Sequence, residues 1–521
     1  MSDKIINTFQ QRRQLEQAVS ELAQTSNEAE LTEAARTIVH TFPQELVLTL
    51  VIKYLDTPNG QIRGGLGHIA ALLPAEEVLP ALRNVAANRR LAPQARLTAA
   101  SIAQRYVGTE LPAALLSDLT DTEEIAFQSL REALDEARRN RHVLLEYVTQ
   151  MQEHGEEIAW MVMGLLDRVT PIERVDLLRL IAQDARPRVA QEALQRLERL
   201  DGTEAQATAL RALHTLQFAL PESLKPQAER ALRKARFAGR AYTPPSAEAW
   251  RALISPADLN GSQSVWLLHR PQPDTPQPNA EQGILLGYAW SDLLGLTHFF
   301  GTETLDKTLL PPRQPIGELV TVTMDNGRTA TMLEAPFDYG RWLLDRALAR
   351  TKLSQETASA LGEYKLYNDW IGQFISPTID EWLRDLWQES APAASEKGEK
   401  EAVDGDTLTA YAAALFQHPA LAGWQLRNWA LLPVAYQNQL PAREVVIALL
   451  TQMAKSTDST QLTRALATGL RAQAGWFYIA KQLDLANQAR LLAQCLPTLP
   501  ITENPVLAHL FTSALTQARR T

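Results

Sequence analysis

From Leu31 onward, apolar residues recur three and four positions apart, the spacing of one helical face. Leu31, Ala34, Ala35, Ile38 and Val39 make the first face, and Leu46, Val47, Leu50, Val51, Tyr54 and Leu55 the second. Pro43 opens that second helix; proline is tolerated in a first turn because its missing N–H would be unbonded there anyway. Thr57-Pro58-Asn59-Gly60 then breaks the chain. Helical spacing continues to about residue 238. Residues 1–29, rich in Gln and Glu, read as a frayed helix or a tail.

After residue 250 the pattern shortens. Residues 265–269 and 284–290 are apolar runs of strand length, separated by a proline-rich loop at 271–279. Residues 319–323 and 329–334 flank Asp325-Asn326-Gly327-Arg328, and Asn-Gly between strand-like runs is a strong hairpin signal. Pro336 opens a further helix. Tyr364, Tyr367, Trp370, Ile371 and Phe374 then form an aromatic stripe at helical spacing, which predicts a helix docked on the sheet. Of the 11 tryptophans only Trp160 precedes residue 250. A small sheet cannot bury so many indoles alone, so the module is expected to pack against a helical neighbour. Residues 390–406 are rich in Ala, Ser, Glu and Lys without periodicity and read as a flexible linker. Helical spacing resumes at Leu408 and lasts to Arg520, as repeats or a bundle.

The turns of the front share content. Pro58-Asn59-Gly60-Gln61-Ile62-Arg63 is echoed by Pro93-Gln94-Ala95-Arg96 and by Asp184-Ala185-Arg186-Pro187-Arg188-Val189. Ala95 to Val189 covers about two of the roughly 40–47-residue periods of paired-helix repeats. With Ala193 and Leu197, this pattern resembles the HEAT-like repeat, whose second helix opens Asp-x-x-Pro-x-Val. The resemblance covers residues 30–236 and implies a superhelix with a concave protein-binding surface. Gly64, Gly65 and Gly67 depart from it, since each glycine costs a helix about 1 kcal/mol against alanine; close helix contact there would explain them. Residues 108–155 also depart and read as an inserted helical pair. The run from Asp258 to Leu267, with 283–292 and Phe300-Gly301, resembles a module of uncharacterised bacterial HEAT-repeat proteins and brings no known activity. The expected fold is therefore mostly α: a HEAT-like α-solenoid over 30–238, a central α+β module over 239–389, the linker, and a C-terminal helical block over 407–521.

The net charge of −9 argues against a dedicated nucleic-acid binder, which needs a positive surface. No apolar run approaches the roughly 20 residues needed to span a bilayer. Met1-Ser2-Asp3-Lys4 begins no apolar signal core, and the single cysteine, Cys495, fits a reducing compartment, so a cytoplasmic location is expected. Cys495 lies in an apolar run and reads as an inert core thiol.

Candidate chemistry is sparse. Asp258, Asn260, Gly261 and Gln263 form a polar turn, and Asp292 and His298 follow in the same module. Together with His269 they are the residues that could bind a ligand or exchange a proton. Their spacings match no metal motif, phosphate loop or nucleophile elbow, so no catalytic residue, metal site or cofactor is nominated. The bland alternative makes Asp258 a turn residue and Asp292 the cap of a following helix. A basic cluster, Lys225, Arg230, Arg233, Lys234, Arg236 and Arg240, is opposed only by Glu229. It is either a solvated helix end or a partner contact, with Arg230, Arg233, Lys234 and Arg236 as the contact residues. The favoured reading is a non-enzymatic scaffold for another protein. One alternative is a ligand-binding protein or enzyme with its site on the central module; another is nucleic-acid binding through residues 225–240.

Overall fold

The polar start of the chain is a helix with a buried seam. In the computed structural model it spans Ser2–Glu21, with Leu15 and Val19 buried, and Leu22 of the 3-10 turn that follows is buried beside them. The structure describes all residues except 1, 26–27, 58, 89, 92, 110–121, 154, 271–281, 324–326, 328, 353, 389–403, 426–440, 456–458 and 520–521. The proline-rich loop, the 390–403 part of the linker and most of the Asp325–Arg328 turn lie outside the described residues. The chain divides into two compact units, Met1–Leu177 with Arg186–Val189, and Leu178–Ala185 with Ala190–Thr521.

The first unit is helical. Its helices Glu28–Thr41, Gln44–Lys53, Gly60–Leu72, Ala75–Ala87 and Pro93–Arg105 share one core running from Leu15 to Ala103. Asn59 starts one of them, its side-chain oxygen accepting from the Ile62 N–H at 3.0 Å. The glycines of that helix mark close approach. A Cβ on Gly65 would lie 2.7 Å from Leu22 and one on Gly67 2.5 Å from the Tyr106 ring. The helical pair Thr122–Ala137 and His142–Glu153 follows. Arg131 reaches Asp135 within its own helix at 3.7 Å, but the tighter partner of Arg131 and Arg138 is Glu173, at 3.2 and 2.6 Å. Charges four apart in sequence here serve mainly to join separate helices.

The second unit is built around a sheet of strands β1 (Trp250–Ile254), β2 (Gln263–His269), β3 (Gln282–Ser291), β4 (Gly295–Asp306), β5 (Leu319–Thr323) and β6 (Thr329–Ala335). Their order is β4-β3-β2-β1-β6-β5, antiparallel throughout. Strands β1 and β4 are additions to the sequence reading. β1 has only five residues and is buried on both faces, so it shows no alternation. β4 is an edge strand, and register shifts in the β3–β4 pairing blur its period of two.

Each sheet face has its own packing. Ala252, Val265 and Leu267 meet Gly340 of helix Phe337–Arg350, and the Tyr288 hydroxyl donates to the Gly340 carbonyl at 2.5 Å. The other face carries the core of Leu253, Leu268, Leu310, Val320, Val322 and Met332. The aromatic stripe falls on helix Gln355–Gly372 as far as Ile371, and Phe374 lies just beyond the end of the helix. Tyr364 meets Phe299 edge-on at 5.9 Å, Tyr367 lies over Gly301, and Trp370 donates to Glu303 at 2.6 Å. The other side of this helix is bonded to earlier helices of the same unit. Gly372 packs on Thr215, and the ring Nε2 of His214 lies 3.1 Å from the Phe374 carbonyl oxygen.

The rear helices are Gly405–Leu415, Ala442–Met453, Ser459–Ile479, Leu483–Cys495 and Pro505–Ala518. The first begins at Gly405, where the Asp404 carboxylate accepts from the Thr407 N–H at 2.7 Å. Trp382 stacks on Tyr478 with centroids 4.4 Å apart, and Trp290 meets Trp387 at 5.5 Å. Sheet, aromatic helices and rear helices thus share buried surface. Cys495 is half-buried, and burial pushes its thiol pKa up, away from reactivity.

Candidate functional site

The polar turn between β1 and β2 is held from both sides. Asp258 accepts from the N–H groups of Asn260 at 2.9 Å and Ser262 at 2.7 Å, so its carboxylate closes the turn. Gly261 sits at φ +75°, and a Cβ there would lie 3.0 Å from the Gly469 nitrogen. Trp424 donates to the Ala257 carbonyl at 2.7 Å, Trp476 to the Ile254 carbonyl at 3.1 Å, and the Ala257 N–H to Gln473 at 3.1 Å. Gln263 is buried and donates to the Ser255 carbonyl at 3.1 Å. The Asn260 side chain remains exposed. The turn is thus closed by its own Asp258 and tied to the rear of the chain through Trp424, Gln473 and Trp476.

Asp292 is followed by a turn and β4, so it caps no helix. Its carboxylate is 2.6 Å from Arg346 Nε and 3.5 Å from Arg350 Nε, an ion pair with little access to water. Arg346 also lies over the Trp387 ring at 4.8 Å. His298 points to solvent on β4, and its ring lies 6.0 Å from that of Phe300. Gln263 faces the opposite side of the sheet from His298, because Gln263 pairs with Trp290 while His298 pairs with Ala289. His269 is packed beside Trp250. The turns of Asp258 and Asp292 therefore lie at one end of the sheet, and His298 lies on the face away from Gln263. No group of three metal-ligating side chains occurs among the described residues.

The basic cluster occupies helix Lys225–Phe237 and the residues after it. Ala228 and Ala231 bury its inner face. Lys225 pairs with Glu222 at 2.6 Å and Lys234 with Glu198 at 2.8 Å. Arg230, Arg233 and Arg236 are exposed. Phe237 ends the helix with 92% of its surface in solvent. Arg230, Arg233, Lys234 and Phe237 are spaced to share one outward side of the helix.

A second cationic feature escaped the sequence reading. Arg251 of β1, Arg313 and Gln314 of the connection into β5, and Lys481 after helix Ser459–Ile479 line an open depression of about 520 Å³, with Pro315 and Ile316 as its apolar wall. Its cations are distant from one another in the chain, so no local motif announces it.

Burial lowers the pKa of His214, His269, His418 and His509 below the ordinary 6.5, although the Phe374 carbonyl partly offsets this at His214. His418 Nδ1 also accepts from the Ala420 N–H at 3.2 Å, a bond that protonation would break. Between the depressed and ordinary values the unfolded chain binds more protons at these histidines, so their contribution to stability is full above pH 6.5 and falls as pH drops. Asp345, whose pKa burial raises to about 6, works in the opposite sense over the same range, so the histidine effect is read by comparison: from pH 7 to 5 the melting temperature of His214→Gln should fall less than that of the wild type. Parallel profiles of the two proteins over that range would contradict the assignment.

No helix of the described chain is long and apolar enough to cross a membrane. Compared with known proteins, the chain matches no family model, no curated protein and no solved structure.

Proposed function

We propose that this protein is a non-enzymatic interaction scaffold with a HEAT-like helical front, and that helix Lys225–Phe237 offers its outward side to an acidic segment of a partner protein. The observation that carries this reading is Phe237, 92% exposed beside the exposed Arg230 and Arg233. Fully burying such a side chain is worth about 1.5–3 kcal/mol, which a partner would recover. Arginine and aromatic residues are the types enriched among interface hot spots. Uncompensated arginines steer an acidic partner and raise its association rate. Support also comes from the central module, where Asp258 and Asp292 are occupied in holding turns and layers together.

The test is affinity capture by the full chain from cell extract, beside an Arg233→Glu/Phe237→Ser variant of unchanged melting temperature. A single acidic protein, retained by the wild type and lost by the variant, is expected; its purified form should bind with the same dependence. Retention equal in both proteins would refute the assignment. Capture abolished by nuclease would transfer the surface to nucleic acid, with affinity falling steeply with salt.

A further inference from the structure

The structure assigns a second binding site, independent of the helix just discussed: the depression formed by Arg251, Arg313 and Lys481 is an anion site, and we propose that its ligand is a phosphate-bearing small molecule.

Three separate segments deliver the cations, and each is held firmly. Arg251 Nη1 donates to the carbonyls of Glu248 at 3.2 Å and Trp250 at 2.8 Å, which sets the plane of its guanidinium. The connection carrying Arg313 is tied down at both ends. Arg270 donates to the Leu310 and Pro311 carbonyls at 3.2 and 2.7 Å, and the Gly317 N–H donates to the Glu334 carbonyl at 2.9 Å. Gly317, at φ +97°, lets that connection approach the rear helix: a Cβ would lie 2.8 Å from the Ile479 carbonyl oxygen. Lys481 is the one described non-glycine residue at positive φ, +61°, and its N–H donates to the Tyr478 carbonyl at 3.0 Å. A left-handed backbone is costly for lysine, and here it turns the chain into the next helix beside the depression.

The charge balance is the deciding feature. Among the described residues, no carboxylate oxygen lies within 4.0 Å of the charged nitrogens of Arg251, Arg313 or Lys481, although the chain as a whole is acidic at −9. Glu334 is bonded to the connection, its carboxylate lying 3.5 Å from the Gln314 nitrogen. Burial raises the Glu334 pKa, with Arg313 and Arg270 opposing. Without a direct ion-pair partner among the described residues, the three cations retain charge that a bound anion would neutralise. The Arg313 guanidinium, the N–H groups of Arg251 not taken by backbone carbonyls and the Lys481 ammonium suit a phosphate group, which offers several oxygens at once. The volume of about 520 Å³ exceeds a lone phosphate and is of the size of small-molecule sites. Pro315 and Ile316 then supply the apolar wall for the ligand's organic part.

The experiment uses the full chain, inorganic pyrophosphate as probe, citrate as the carboxylate comparison, and thermal shift with isothermal titration in about 0.15 M salt to suppress surface binding. Saturable stabilisation by pyrophosphate is expected, with citrate at least roughly ten-fold weaker. Arg313→Gln and Lys481→Gln, both exposed positions, should each weaken binding roughly ten-fold or more while folding normally. Arg233→Glu should leave pyrophosphate binding intact, which separates this site from the partner-binding helix. The proposal is overturned by the absence of a saturable response, by equal binding of citrate, or by unchanged affinity in the Arg313→Gln/Lys481→Gln double variant.

Discussion

Arg179→Ala is expected to destabilise the protein by about 3–5 kcal/mol, the range for removing one partner of a buried charge network. Arg179 is 1% exposed. Its Nη1 donates to the Lys365 carbonyl at 2.8 Å and to Asn368 Oδ1 at 2.6 Å, and its Nη2 to the Leu366 carbonyl at 2.9 Å. Asp369 supplies the countercharge at 3.7 Å and shares it with Arg211 at 3.7 Å. Gln183 closes the network: it accepts from Asn368 at 2.7 Å, and its carbonyl accepts from the Lys365 ammonium at 3.0 Å. Alanine would leave Asp369 buried beside one half-exposed arginine, and Asn368 without its strongest donor. Arg179→Met is the companion variant. It keeps much of the volume and isolates the electrostatic loss, so it should recover only a minor part of the stability. Urea unfolding at constant pH measures both. A change below about 1 kcal/mol in Arg179→Ala would mean that water or neighbours replace the network.

Gly469→Val should cost about 1–3 kcal/mol through overpacking between the Asp258 turn and helix Ser459–Ile479. A Cβ on Gly469 would lie 3.0 Å from the Asp258 carbonyl oxygen and 2.9 Å from the Trp424 ring. The oxygen is backbone in a turn closed by its own hydrogen bonds, so it cannot swing aside as a side chain would. Gly475, one and a half turns on, meets the Tyr339 hydroxyl at 2.5 Å in the same sense. Gly469→Ala gives the sharper sign test. Helix propensity alone favours alanine by about 1 kcal/mol, so a net loss identifies the contact as dominant. Trp476→Phe keeps the packing but leaves the Ile254 carbonyl without its indole donor, at about 1–3 kcal/mol. If Gly469→Ala proves stabilising and Trp476→Phe neutral, the turn is not clamped by the rear helices.

Helices were the most legible elements, because an amphipathic helix writes its burial into local spacing. The helix of the aromatic stripe, the helix after Pro336 and most of the front follow from that rule. Four strands were legible from apolar runs and from the Asn-Gly signal; β5 and β6 pair as that signal requires. β1 and β4 were not, one lacking alternation and the other interrupted by bulges. At the candidate residues, Asp258 shows its turn role in its own neighbourhood. Asp292 gives no such sign, since its partners Arg346 and Arg350 lie some fifty residues further along.

The sequence by itself determined which segments bury a face, where the chain must turn, and that aromatic side chains of the centre need a neighbour beyond the sheet. Those are properties of consecutive residues, set by backbone geometry and hydrophobicity. Only the tertiary structure decided what pairs with what. Arg179 reads as an ordinary helical arginine until helix Gln355–Gly372 buries it, and Arg251, Arg313 and Lys481 are scattered cations until three segments bring them to one depression. The physical reason is range. Periodicity reports on neighbours a few residues away, whereas desolvation and charge pairing depend on groups brought together from anywhere in the chain.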